Sequence, residues 1–176
     1  MKNDEVVQLL QHYRHDLMNR LQVIKGYASM KKTDHVNEKL NELIDDFNEE
    51  RKLMSLNTPN FLLWLLQFNS FYENIRMTYK IHIENRCLIH LDNQLMKKSK
   101  TVVKTIESFG EHTELYTIHL ELKKVSGEIH LYYIINGYFK DEKQLIMELN
   151  KNGKYIGKEG MDNQLILQLE IPNIKR

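Results

Sequence analysis

The sequence predicts an α+β protein: a long helical hairpin followed by a smaller α/β unit. Two observations carry this. Up to Asn57 the apolar residues recur at spacings of three and four, the period of one helix face. After Tyr79, stretches of strict alternation appear, with Tyr116, Ile118, Leu120 and Leu122 facing one way and Thr117, His119 and Glu121 the other. Pro59 and Pro172 are the only prolines, so long stretches are free to be helical. The expected domains are 1–57, the hairpin, and 58–176, the α/β unit.

In the first helix, roughly residues 4 to 31, Leu10, Tyr13, Leu17, Leu21, Ile24 and Ala28 fall within about 40° of one line on a helical wheel. "KKTDH" interrupts the pattern, and Thr33 or Asp34 is placed to cap a second helix. That helix carries Val36, Leu40, Leu43, Phe47 and Met54 at similar spacing, with Ile44 beside them. "NTP" ends it, because the residue before proline is biased away from the helical region. Two such helices alone bury their stripes poorly, and Met18, Val23 and Ile44 widen the apolar surface further. A homodimer forming a four-helix bundle solves that burial problem.

The second domain opens with a third helix in "FLLWLLQFNSFYENIRM", whose Phe61, Trp64, Phe68 and Phe71 are expected in the core. "YKIHIE" reads as a strand and residues 92–109 as a helix. "LYTIHLELKK" and "IHLYYII" form a hairpin about the turn "VSGE". "DEKQLIMELN" is a short helix and "QLILQLEI" a last strand. The order α, β, α, β, β, α, β suggests a small antiparallel or mixed sheet with helices on one face.

The chain has 176 residues, of which 41% are hydrophobic and 28% charged, with a net charge of +1. It lacks the basic excess expected of a nucleic-acid binder. Cys87 is the only cysteine, so no disulfide forms within the chain and a thiolate metal site is not expected. The N-terminal segment has no apolar core of the signal-peptide kind. The longest apolar run, "FLLWLLQF", is too short to span a bilayer. A soluble, cytoplasmic protein is expected. His82, His90, His119 and His130 lie in or near strands without metal-ligand spacing and are read as solvent-facing. Lys97, Lys98, Lys100 and Lys104 are read as a solvated helix face.

The functional signal is "YRHDLMNRLQVIKG". His15 lies about 160° from the apolar stripe, and Asn19 about as far on the other side. Gln22 and Gly26 share that outer face. Asn19, at i+4, can meet the imidazole; Asp16, at i+1, is not expected to face it directly. An exposed imidazole has a pKa near ~6.5, so at neutral pH it is mostly uncharged and a competent nucleophile toward phosphorus. Glycine costs about 1 kcal/mol in a helix interior, and close approach of a partner is one reason to keep Gly26.

"RHDLMNRLQVIKG" resembles the H-D-x-x-N-x-L-x-x-I-x-G signature of phosphoacceptor helices in two-component signalling. The nearer resemblance, over nearly the whole chain, is to the sporulation initiation phosphotransferase B family, which "LNTPNFLLWLLQFNSFY" and "INGYF" also resemble. It implies a hairpin dimerising into a four-helix bundle, followed by an α/β domain related to histidine-kinase ATPase domains. It also implies a phosphorelay in sporulation initiation. His15 would take a phosphoryl group from the aspartyl phosphate of one response regulator and pass it to an aspartate of a second. Asn19 and Asp16 match the other polar positions of the signature. Docking would use Gln11, His12, Met18, Gln22, Val23 and Gly26, with Arg14 beside them. No cofactor is expected on this chain; Mg2+ would come from the regulator.

An ATP-dependent sensor histidine kinase core is the rival, since the same H-D-x-x-N motif opens some of these. Kinase ATP domains need an asparagine-rich helix and a D-x-G-x-G segment. Here the helix after Asn93 contains no asparagine, and "YYIINGYFKD" keeps Asn136 and Gly137 but lacks an aspartate before the glycine and the second glycine. "NGKYIGKEG", with Gly153, Gly157 and Gly160, lies where a phosphate-covering loop would be. The second domain is therefore read as a degenerate ATPase fold that does not bind nucleotide. A non-catalytic dimeric adaptor is the third reading.

Overall fold

The structure is a computed structural model that describes residues 3–83, 86–111, 113–151, 153, 155–159 and 164–172. The chain forms two compact units, Met1–Arg51 and Lys52–Arg176.

The first unit holds α1 (Asn3–Ser29) and most of α2 (Thr33–Ser55). The reversal between them is closed by Met30, Lys31 and Lys32, whose N–H groups donate to the carbonyls of Gly26, Ala28 and Tyr27. Lys31 takes positive φ there (58°). The helices meet along the half-buried Leu9, Leu17, Ile24 and Tyr27 of α1 and the buried Leu43 of α2. Much of the apolar stripe is uncovered. Val7 is 51% exposed, Leu10 61%, Leu21 41%, Ile44 55% and Phe47 40%.

The second unit contains α3 (Pro59–Phe71), β1 (Ile75–Ile81), a single 3-10 turn (Ile89–Leu91) and α4 (Asp92–Phe109). It continues with β2 (Tyr116–Val125), β3 (Glu128–Asn136), α5 (Glu142–Lys151), β4 (Tyr155–Glu159) and β5 (Gln164–Ile171). The strands form one mixed sheet in the order β1-β2-β3-β5-β4. Only β1 and β2 are parallel, with Ile75 opposite Tyr116. The β2–β3 turn has Ser126 and Gly127 both at positive φ, as a two-residue hairpin turn requires. The three helices pack on one face, α3 against β1, α5 against β4 and α4 between them. Leu120, Leu122, Leu131, Tyr133, Leu165 and Leu167 point into that layer and are fully buried. The Tyr133 hydroxyl is held there by Ser99 Oγ at 2.8 Å, and burial pushes its pKa well up.

Several expectations change. The third helix stops at Phe71, and the segment from Ile75 that reads as its continuation is strand. Asn69 explains the reversal. Its amide accepts from the Met77 N–H at 2.8 Å and donates to the Met77 carbonyl at 3.0 Å, satisfying the outer edge of β1. Phe71 is 69% exposed rather than core; Phe61, Trp64 and Phe68 are buried as expected. "YIGKE" contributes a fifth strand, β4, where a loop is expected; Gly160 lies outside the described residues. His130 is 7% exposed, against the solvent-facing expectation, because it stacks beside Tyr132 and meets Gln168. Asp92, unremarked in the sequence, caps α3 from a distance. Its carboxylate accepts the backbone N–H groups of Asn60 and Phe61, at 3.0 and 2.8 Å.

Candidate functional site

α1 runs uninterrupted through the motif, so the helical wheel becomes a real surface. His15 is open, its side chain 70% exposed. Gln11, His12, Arg14, Asn19, Gln22 and Gly26 are exposed with it, as are Met18 (46%) and Val23 (50%). The helix therefore brings together every residue expected on the outer face.

Within this surface the imidazole has two polar neighbours. Asn19 Nδ2 lies 3.3 Å from His15 Nδ1 and 3.5 Å from Nε2. Asp16 Oδ1 lies 3.4 Å from His15 Nδ1. This corrects the expectation that Asp16, as the next residue, is turned away. Both side chains leave the helix far enough to meet at their tips. The tautomer that suits both neighbours has Nδ1–H donating toward Asp16 and Nε2 accepting from Asn19. Nε2 then carries the ring's lone pair, which Asn19 must release before it can attack. These contacts are long and solvated, so they orient the ring without trapping it.

A cation forming on the ring would meet the Asp16 carboxylate. An anionic group arriving at Nε2 would meet the Asn19 amide N–H. That pairing of a carboxylate on one side with a neutral donor on the other suits transfer of an anionic group through nitrogen.

Beside this face, α1 and α2 enclose a groove of about 290 Å3 lined by Arg20, Val23, Ile24, Lys39, Glu42, Leu43 and Asp46. It brings these α2 residues beside Val23 of the expected docking surface and beside Arg20 and Ile24 on the side of α1 that faces α2. None of Lys39, Glu42 or Asp46 was singled out in the sequence, since no motif marks them and only the pairing of the two helices brings them there. Tyr13 faces α2 as well, and its hydroxyl donates to Glu50. Burial, and then the charge of Glu50, push its pKa up to about 12. Among the described residues, no group of three His, Cys, Asp or Glu side chains is arranged to hold a metal ion. No helix among them is long and apolar enough to cross a membrane.

A family model described as the sensor kinase SpoOB-type, alpha-helical domain matches residues 1–56. The sporulation initiation phosphotransferase B of Bacillus subtilis (strain 168) is 31% identical over 140 residues, spanning 78% of this chain and 73% of that protein. Among solved structures, the blue-light activated histidine kinase of Erythrobacter litoralis aligns over 98% of this chain and 61% of its own, at 13% identity and a TM-score of 0.48. The histidine kinase ThkA, solved in complex with the response regulator TrrA, aligns over 95% of this chain and 61% of its own, at 14% identity and a TM-score of 0.44. The sequence identity over most of both chains, and a family model lying on the helices that carry His15, show that this protein belongs to the sporulation initiation phosphotransferase B family.

Proposed function

We propose that the chain is a phosphorelay phosphotransferase working through a phosphohistidine at His15. The observation that carries this reading is the His15 imidazole itself: exposed on the outer face of α1, its Nδ1 beside Asp16 and its ring edge beside Asn19. Family membership supplies the reaction class.

The steps follow from that geometry. The Nε2 lone pair attacks the phosphorus of an aspartyl phosphate on one response regulator. The N–P bond forms, the P–O bond to the regulator breaks, and its carboxylate leaves. Nδ1 keeps its proton, so positive charge develops on the ring and Asp16 stabilises it. Asn19, displaced from Nε2, donates its amide N–H to a phosphoryl oxygen. In the second half, the aspartate of another regulator attacks phosphorus and the N–P bond breaks. Acyl phosphate and phosphohistidine are both high-energy species, so neither direction requires ATP. The chain's task is alignment, and the regulator's acidic pocket supplies Mg2+.

The uncovered stripe of Val7, Leu10, Leu21, Ile44 and Phe47 supports a homodimer whose four helices form a bundle. Two features of the second unit support a domain that binds no nucleotide. Asn136 is committed within the sheet, donating to Thr117 and accepting from Gln164. At Gly137 (φ 151°) the Tyr116 ring packs so closely that an added Cβ would come within 2.2 Å of it.

The test is phosphoryl transfer in parallel reactions, one with labelled ATP and Mg2+, the other with a labelled phospho-aspartyl regulator and Mg2+. Acid-labile label arriving only from the regulator, and lost in His15→Ala, is the expected result. Label from ATP would make the chain a kinase. Label from neither, with cognate regulators tried, would leave the adaptor.

A further inference from the structure

Two side-chain bridges tie α1 to α2, one on each side of His15. Toward the N-terminus, Tyr13 donates its hydroxyl to the Glu50 carboxylate, with oxygens at 3.1 and 3.0 Å. Toward the C-terminus, Arg20 pairs with Asp46 at 2.5 Å. Tyr13 and Arg20 are one heptad apart on α1, about two turns, so both project from the side that faces α2. His15 lies between them along the axis and on the opposite side. The half-buried Leu17 sits between the bridges on the contact side.

These bridges are poor candidates for stability. Arg20 and Asp46 are 52% and 60% exposed, and solvent screens such a pair. Their physical effect is selection. Turning α1 by one residue, about 100°, would carry His15 off the outer face and bring Asp16 or Arg14 into its place. The same turn would leave Glu50 and Asp46 without donors. Because the two bridges lie two turns apart, one cannot relax without straining the other, so together they define a rotation where a single bridge defines only a point of contact.

We infer that Tyr13 and Arg20, through Glu50 and Asp46, are positioning residues that hold α1 at the rotation in which His15 Nε2 meets the incoming phosphoryl group in line. The inference rests on the phosphotransfer reading above. It assigns the effect to rate rather than affinity, because in-line transfer depends steeply on orientation.

The test uses the full chain carrying Tyr13→Phe and Arg20→Gln together. Two donors are compared: the phospho-aspartyl regulator, which must dock, and phosphoramidate, a small donor that reaches an exposed imidazole from any side. Transfer from the regulator is expected to lose about 10-fold or more in kcat with KM unchanged. Labelling by phosphoramidate is expected to stay at the wild-type rate. Exchanging the second pair, Arg20→Asp with Asp46→Arg, is expected to recover most of the loss seen for Arg20→Gln alone. Unchanged kcat overturns the inference. So does a rise in KM alone, which would make these residues docking contacts, Arg20 and Asp46 also lining the groove. Equal loss with both donors overturns it too, as damage to the helix. A wild-type chain labelled by phosphoramidate but by no regulator removes the phosphotransfer reading itself, and this inference with it.

Discussion

The two units treat the same kind of residue in opposite ways. In Lys52–Arg176 the apolar face of each helix meets a sheet, and Phe61, Leu95, Val102, Leu145, Leu120 and Leu167 are almost wholly buried. In Met1–Arg51 the helices carry an equally regular apolar period, yet Leu43 is the one buried apolar side chain among the described residues. Periodicity says which face of a helix is apolar and leaves open what covers it. A sheet covers one unit from within the chain. The hairpin has only two helices, and their stripes are wider than one helix can hide. The unit that lacks a core of its own also presents the chemically marked surface. Under the proposed function two large partners visit this site, which suits an open helix face, since an internal core would compete for it.

The sharpest break in this comparison is at His15. His15→Ala should abolish transfer from the regulator while leaving circular dichroism unchanged, because the side chain is exposed and supports no packing. Asp16→Asn should retain far more activity, since asparagine still accepts from Nδ1–H; equal loss in both folded variants would rule out that division of roles. Next comes packing. Leu120→Ala should lower stability by about 2–5 kcal/mol in urea unfolding, independent of protein concentration. If the proposed homodimer covers the stripe, Leu21→Ala should instead make stability depend more strongly on protein concentration; a concentration-independent effect would count against that dimer. A glycine pair sharpens the contrast further. Gly26 has nothing within 4 Å of an added Cβ, so Gly26→Ala should stabilise α1 by about 1 kcal/mol and slow transfer only if a partner approaches there. Gly137→Ala should destabilise the second unit, since the Tyr116 ring and the positive φ both oppose it.

The smallest effect is expected on the open sheet face. Burial pushes the Glu121 pKa up, but the hydrogen bond and charge of Lys123, followed by His82 and His119, more than offset it. The net pKa lies below the ordinary glutamate value. A group depressed in the folded state adds stability above its unfolded pKa, near ~4.3, and loses it as pH falls through the folded value. Urea midpoints of wild type and Glu121→Gln should therefore converge as the solution is acidified below pH ~4 and separate above it.

What could be read directly was whatever depends on local period. The extents of α1 and α2, the β2–β3 hairpin with its turn, and β5 follow from spacings within one element. So does the exposure of His15 with Asn19, because residues four apart share a helix face. The misreadings share one cause. Phe68, Phe71 and Ile75 continue a helical spacing, but parallel pairing of Ile75 with Tyr116 and the Asn69–Met77 contacts make that segment a strand edge. Phe71, left at the helix end, is exposed as a result. β4 has glycine in its middle and little alternation, and it forms because β5 offers a free edge.

The sequence by itself determined that an imidazole with an amide one turn away stands on the polar side of a long amphipathic helix, since that requires only the helical repeat. Only the tertiary structure decided which neighbours that helix has. Asp16 reaches His15 through side-chain rotamers, and Tyr13–Glu50 and Arg20–Asp46 depend on the register of α1 against α2. Their partners lie 37 and 26 residues away, beyond any local period, and are brought near by packing alone.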